Sequence, residues 1–198
     1  MPYRLTPRML QDLRNSLGTY HELFNGGRCQ AWELEELITR AINSDTRTQH
    51  HARWNEGGHD DHEDIQVRIN GRTIGIQIKS GQVKPRNETL TISGHRLTRF
   101  NGDFEAISDY LNSRDVDIIS VSYNKIDNDQ GRQHEYTVRY IEIDRLCGVF
   151  PERWQEHGQQ FIQENDYGIL FSLRPSMSWQ VWWEIPLNQA EEADRFIA

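Results

Sequence analysis

The sequence predicts an α/β fold with a mixed central β-sheet flanked by helices. Two early segments show apolar residues at helical spacing, several later segments alternate apolar and polar residues, and a short helical pattern at 103–112 separates two of those strands. A helix between strands is typical of a crossover connection, which makes a mixed sheet the expected architecture. A chain of 198 residues can bury one core, so we expect a single domain over 1–198.

Two helices are predicted before the first strand. Within an N-terminal part, 1–30, the segment 3–24 has apolar residues near helical spacing, at Leu5, Met9, Leu13 and Leu17. The segment 31–43 has one apolar stripe, which consists of Leu34, Leu37, Ile38, Ala41 and Ile42. The segment 44–63 is polar and rich in His and Gly, and we predict a loop there.

A β-hairpin opens the predicted sheet within the core, 31–145. Its strands, 64–69 and 73–79, flank Asn70-Gly71, which is a favoured pair for a type I′ turn. Because side chains alternate between the two faces of a strand, Gln77 and Lys79 share the face opposite the isoleucines of their strand. The hairpin also brings Asp64 opposite Gln77, since these two residues lie equally far from the turn.

Further strands are predicted at 117–123 and 136–144. The C-terminal part, 146–198, is predicted to contain a helix from Pro151 to about Glu164 and then a hairpin formed by YGILFSL and WQVWWEI. In WQVWWEI, Trp179, Val181 and Trp183 fall on one face. We favour packing in a core or dimer interface for this face over stacking on nucleic-acid bases.

Charge and cysteine content restrict the classes of protein. The net charge of −8 disfavours a protein that coats nucleic acid without specificity. Positive charge is nevertheless concentrated between Gly81 and Gly102, directly after Lys79. No segment approaches the roughly 18 consecutive apolar residues of a membrane span, and the two cysteines lack metal-ligand spacing. We therefore expect a cytoplasmic protein with reduced thiols and no membrane partner.

The hairpin carries residue types that suit phosphodiester hydrolysis. That reaction uses a divalent cation to bind the scissile phosphate and to lower the pKa of the attacking water. Mg²⁺ prefers oxygen ligands, usually one or two carboxylates plus water. Asp64, the amide oxygen of Gln77 and the backbone carbonyl of Ile78 are candidate ligands, and Lys79 is placed to orient the water.

These residues resemble a known superfamily. EDI at 63–65 followed by GIQIK at 75–79 resembles the PD-(D/E)XK nucleases, in the variant where Gln replaces the second acid, as in the Mrr-like branch and some type II restriction enzymes. LEELI at 34–38 resembles the FEELV helix motif of that branch, which points to Glu35 rather than Glu33 or Glu36. The motifs cover about residues 30–80, and Glu63 stands where the family usually has Pro.

The resemblance implies a restriction-endonuclease-like core and a Mg²⁺-dependent endonuclease that cleaves double-stranded DNA, with Mn²⁺ as a substitute metal. The implied catalytic residues are Asp64, Gln77, Lys79 and Glu35. A type II restriction enzyme that cuts both strands alone would be a homodimer, with 146–198 as a source of dimer or DNA contacts. Two alternatives stay open: a structure-selective resolvase or repair nuclease, and a non-catalytic DNA-binding module on the same fold.

The basic segment after the hairpin is the predicted path of the DNA. Its side chains offer donors to phosphates, and Arg96 or Arg99 could contact a guanine edge through two hydrogen bonds. The predicted DNA-binding residues are Lys84, Arg86, Ser93, His95, Arg96 and Arg99.

The cluster HDDHED at 59–64 allows two interpretations. His59 and His62 lie three residues apart, as in some zinc sites. We favour an acidic loop with Asp60 or Asp61 near a second metal position.

Overall fold

The computed structural model describes residues 3–24, 29–55, 63–128 and 131–198. Over these residues the chain is a mixed α/β fold with three α-helices and a large β-sheet. The predicted second-metal or zinc residues, at 59–62, lie outside the described residues.

The helices of the described chain are α1 (Pro7–Leu23), α2 (Ala31–Ser44) and α3 (Phe104–Asn112). Its strands are β1 (His51–Trp54), β2 (Ile65–Ile69), β3 (Arg72–Lys84), β4 (Thr89–Arg96), β5 (Ile118–Asn128), β6 (Gly131–Ile141), β7 (Gln155–His157), β8 (Gln160–Glu164), β9 (Leu170–Arg174), β10 (Gln180–Pro186) and β11 (Glu191–Ile197).

The sheet is mixed. Its main order is β11-β6-β5-β3-β4-β10-β9-β8-β7, and β2 pairs with both β1 and β3. The β3–β5 pair is parallel, while the other strand pairs of the described chain are antiparallel. This arrangement confirms the predicted mixed sheet and its four predicted core strands.

Helices cover the two faces of the sheet. The core between α1, α2 and the sheet includes Ile76 and Ile78, whereas the core under α3 includes Leu90 and Trp183. The predicted flanking helices are thereby confirmed. α1 begins after Thr6, whose hydroxyl accepts a hydrogen bond of 3.2 Å from the N–H of Met9, and α3 is capped in the same way by Asp103.

The β2–β3 hairpin has the predicted turn and register. Asn70 and Gly71 have φ values of 49° and 81°, as a type I′ turn requires. Ile65 pairs with Ile76, so the next position places Asp64 across from Gln77. β3 continues to Lys84, five residues beyond the predicted end, because its second half pairs with β4.

Two predicted elements were wrong. The C-terminal helix predicted from Pro151 to Glu164 is a single 3₁₀ turn followed by the β7–β8 hairpin. Gly158 has a φ of 64° and occupies the two-residue turn between the paired residues His157 and Gln160, a position that favours a hairpin over a continuous helix. The predicted loop 44–63 contains β1, whose pairing with β2 depends on tertiary contacts.

Along one edge of β3, the neighbouring strand changes from β2 to β4. The change occurs beside the candidate site. Gly81 pairs with Ser122 of β5 on one edge and with Ile92 of β4 on the other. The backbone carbonyl of Ile76 accepts from the N–H of Asp64, whereas the N–H of Gln77 donates toward β5. Because successive residues direct their backbone groups to opposite edges, β2 and β4 share one edge, and residues 77–80 lie between them there.

Candidate active site

Asp64 lies in the gap between β2 and β4 along the edge of β3. It directly precedes β2, and its carboxylate oxygen Oδ2 accepts a hydrogen bond of 2.7 Å from the backbone N–H of Ile78. The N–H and C=O of one strand residue face the same edge, so the carbonyl of Ile78 is also directed to the edge where Asp64 lies. The gap therefore combines one carboxylate with one backbone carbonyl.

Lys79 contributes the positive charge at this edge. Its Nζ lies 3.4 Å from Oδ2 of Asp64, and the side chains of Lys79 and Asp64 are 19% and 13% exposed. Both groups are thus shielded from most of the solvent and still reachable. An ammonium group has three N–H donors. Because this ion pair is not fully buried, Lys79 can still donate a hydrogen bond to a phosphate.

Gln77 lies on the same strand face as Lys79 and is almost fully buried, at 2% exposure. Its Oε1 accepts a hydrogen bond of 2.5 Å from Nη2 of Arg114, and its Nε2 lies 2.9 Å from Nε2 of His95. A guanidinium has only donors, so the amide oxygen must face Arg114 and the amide nitrogen must donate to His95. The ring nitrogen Nε2 of His95 is therefore the acceptor.

Arg114 is the residue of this site that sequence reasoning missed. It follows α3, is 9% exposed, and stacks over the ring of Trp183 with its Cζ 5.4 Å from the ring centroid. Within the described chain it has no carboxylate partner, and its Nη1 has no hydrogen-bond partner. Burial lowers the pKa of the Arg114 guanidinium. Nothing in the local sequence signals a contact with a strand that is 37 residues away.

Glu35 lies on α2 at the same end of the hairpin. Its carboxylate accepts a hydrogen bond of 2.9 Å from the indole Nε1 of Trp54. Trp54 pairs with Ile65, and Ile65 directly follows Asp64 in the chain. The neighbouring Glu36 is exposed, and Glu33 accepts from Tyr20, so Glu35 is the one of these three glutamates with a described contact to β1.

The donor set suits Mg²⁺. The described residues contain no group of three His, Cys, Asp or Glu side chains arranged for a metal. Mg²⁺ instead takes few protein ligands and keeps several waters. The carboxylate of Asp64 and the carbonyl of Ile78 share an edge, and the second lone pair of Gln77 Oε1 is a further oxygen donor.

The predicted DNA-binding residues lie in several different environments. His95 belongs to the site through Gln77, and Arg99 stacks on the rings of Phe100 and Tyr110. Lys84 forms an ion pair of 2.7 Å with Glu184. Arg86 and Arg96 are exposed, and Ser93 lies on the sheet face.

No protein-family model matches the chain, and a comparison with curated proteins finds no significant match. Among the described residues, no helix is long and apolar enough to cross a membrane.

Proposed function

We propose that the protein is a Mg²⁺-dependent endonuclease that hydrolyses phosphodiester bonds in double-stranded DNA, as a type II restriction enzyme with a restriction-endonuclease-like core. The observation that carries this proposal is the arrangement at the β3 edge. One half-shielded carboxylate, Asp64, contacts both the ammonium group of Lys79 and the backbone N–H of Ile78. An acid and a lysine paired at the open edge of a twisted hairpin suit attack on a phosphate.

Each residue has a distinct task in this proposal. Asp64 and the Ile78 carbonyl would hold Mg²⁺, with Gln77 Oε1 as the third oxygen donor and Glu35 assisting from α2. When bound, the metal supplies Lewis acidity to the scissile phosphate and lowers the pKa of the attacking water. Lys79 orients that water and stabilises the negative charge that develops on the phosphate. Mn²⁺ would substitute, because it accepts the same oxygen ligands.

DNA and a second copy of the chain are the proposed partners. The exposed Arg86 and Arg96 lie beyond the β3 edge, in the segment that follows Lys79, and would contact phosphates or base edges. Cleavage of both strands needs two active sites, so a homodimer follows if the enzyme acts alone.

The test is digestion of plasmid and linear duplex DNA with Mg²⁺, repeated with EDTA. We expect discrete fragments that EDTA abolishes. The Lys79→Ala variant should lose cleavage by at least about a thousandfold and retain DNA binding. Arg4→Ala is the control, because Arg4 forms an exposed pair with Glu191 far along the chain. Cleavage by Lys79→Ala at the rate of the native protein would refute the assignment.

A non-catalytic DNA-binding module is the second candidate. The observation that favours it is the burial of Gln77 between Arg114 and His95, which occupies groups that a metal site would use. DNA binding without cleavage in Mg²⁺ or Mn²⁺ across diverse duplexes would support this candidate. Cleavage of branched DNA alone would instead support a structure-selective resolvase or repair nuclease.

A further inference from the structure

A polar groove of about 540 Å³ lies on the sheet face opposite α3. It exists because strands β4 and β10 turn their apolar residues, such as Ile92 and Trp183, into the core under α3. The alternate residues consequently point to the other face, where the described helices leave this part of the sheet open. The residues that line the groove include Ser80, Thr91, Ser93, Asn124, Lys125 and Trp182.

The lining of the groove indicates the class of its ligand. Hydroxyl and amide groups dominate, and these groups can both donate and accept hydrogen bonds. Lys125 is the one cation among the described lining residues. A phosphate accepts but does not donate, whereas the edge of a nucleobase presents donors and acceptors together. The groove therefore fits a neutral base better than a polyanion.

Two groove residues have buried polar atoms without partners. Within the described chain, neither Nε1 of Trp182 nor Oγ1 of Thr91 has a hydrogen-bond partner. Both atoms are themselves buried, so a ligand in the groove can pair with them only if the Thr91 or Trp182 side chain rotates toward it.

Trp182 gives the groove an aromatic ring that can stack on a base. The guanidinium of Arg174 lies over the Trp182 ring, with its Cζ 4.7 Å from the ring centroid. Nucleobases stack on aromatic rings and on guanidinium planes alike. A volume of about 540 Å³ is within the range of pockets that enclose small organic ligands.

The groove lies next to the candidate active site. Ser80 follows Lys79 in β3 and points to the opposite face, and Ser93 lies two residues before His95 in β4. A nucleic-acid strand that passes the β3 edge at Asp64 can therefore present a neighbouring nucleotide to the groove. Such a nucleotide must be unpaired or displaced from the duplex, because a stacked base pair hides its faces.

We propose that this groove binds one unpaired or displaced nucleobase beside the scissile phosphate, stacked on the Trp182–Arg174 pair. The inference rests on the proposed function, since it assigns the neighbouring site to a nuclease. It adds a specificity site that reads an extrahelical base.

The test compares two DNA duplexes in EDTA, where no cleavage occurs. One duplex is fully paired, and the other carries a single bulged 2-aminopurine, whose fluorescence falls when it stacks on an aromatic ring. We expect the native protein to bind the bulged duplex about tenfold more tightly and to quench its fluorescence. Trp182→Leu should lose both effects, while Trp182→Phe, which keeps a ring, should retain most of the preference. Trp32→Leu is the control, because Trp32 is 55% exposed on α2.

The outcomes separate this inference from the proposed function. Equal binding of both duplexes by the native protein, or a preserved preference in Trp182→Leu with native circular dichroism, overturns the groove assignment. DNA cleavage in Mg²⁺ can persist in that case. Preference for the bulge without cleavage in any metal supports the groove and refutes the nuclease. If Trp182→Leu does not fold, Thr91→Val provides the second test, and an unchanged preference in that variant overturns the pairing with Thr91.

Discussion

Two arginines are buried among the residues whose burial the structure describes, Arg139 in β6 and Arg114 shortly before β5, and they are compensated differently. Arg139 in β6 is 2% exposed, yet its Nη2 lies 2.8 Å from the carboxylate of Glu192 and its Nη1 donates to Ser122. Arg114 is almost as buried, but it donates to the neutral amide of Gln77. A buried charge costs several kcal/mol unless it is paired, so an arginine without a carboxylate partner needs another reason to be present.

The presence or absence of a carboxylate partner separates a buried arginine that stabilises the fold from one that can serve a function. Arg139 and Arg195 share the carboxylate of Glu192, which joins β6 to β11, although Nε of Arg139 has no hydrogen-bond partner in the described chain. Arg114 donates to the neutral amide of Gln77 instead. In the proposed function, its positive charge would act on a phosphate bound beside Asp64 and Lys79. Four predictions test this contrast, in order of the expected effect.

Asp64→Asn has the largest expected effect. The substitution keeps the side-chain volume and removes the charge that would hold Mg²⁺, so cleavage should fall by at least about a thousandfold. The measurement is the single-turnover cleavage rate with saturating protein. Asp194→Asn is the matched control, since the Asp194 side chain is 17% exposed and pairs with Arg14 at 2.8 Å. Equal losses of the cleavage rate in Asp64→Asn and Asp194→Asn would show that Asp64 has no specific role in cleavage.

Arg114→Met should lower the cleavage rate about tenfold, because the Gln77 amide loses the donor that orients it. The free energy of unfolding should fall by about 1 kcal/mol, because the buried amide oxygen of Gln77 loses its donor while no carboxylate loses a partner. Arg139→Met is the comparison: it should unfold at lower urea concentration and keep its cleavage rate per folded molecule. Arg114→Lys should restore part of the rate. A pattern in which both Met variants lose only stability would make Arg114 a structural cation as well.

The double variant Arg96→Ala/Arg99→Ala tests whether these two arginines of the basic segment contact DNA. DNA binding should weaken several-fold, and the dependence of binding on salt should lose about one unit of slope for each phosphate contact removed. Fluorescence anisotropy at a series of NaCl concentrations gives both quantities. Unchanged affinity and slope in a folded variant would place the DNA path elsewhere.

Glu192→Gln should cost about 1 kcal/mol of unfolding free energy at pH 7, a small value because solvent screens a carboxylate that is 41% exposed. Arg195, and to a lesser degree Arg139, lowers the pKa of Glu192 from its ordinary value of 4.5. The stability from this ionised carboxylate is complete above that value and is lost as the pH falls through the lower pKa of the folded state. Urea unfolding from pH 7 to pH 3 should show the native protein and the variant converging. A constant difference across that range would mean that Glu192 acts without its charge.

The sequence predicted the parts of the site that depend on local pairing. Asn70-Gly71 fixes the turn, and the alternation of isoleucines fixes the register, so Asp64 lies opposite Gln77 as expected. The helical stripe of α2 likewise leaves Glu35 able to accept a hydrogen bond from Trp54 of β1. These features follow from periods of two and 3.6 residues, which a single segment displays.

The remainder depends on contacts between distant segments. Arg114 reaches Gln77 only because α3 and β5 return to β3, and no residue near Arg114 encodes that meeting. The segment that forms the β7–β8 hairpin has few apolar residues and no clear alternation, so its sequence alone does not indicate strands. The basic neighbours of His95 predict a DNA contact, and its contact with the Gln77 amide appears only in the folded sheet.

The shared edge of β3 has a consequence for the order in which the site forms. Asp64 and Lys79 are 15 residues apart and need only the β2–β3 hairpin, whereas Gln77 and Arg114 are 37 residues apart and need the parallel β3–β5 pair. Closing a longer loop costs more entropy, and parallel strands pair late in folding. The nascent chain would therefore assemble its acid and lysine first and its buried arginine later, so that the arrangement remains incomplete until the sheet has closed.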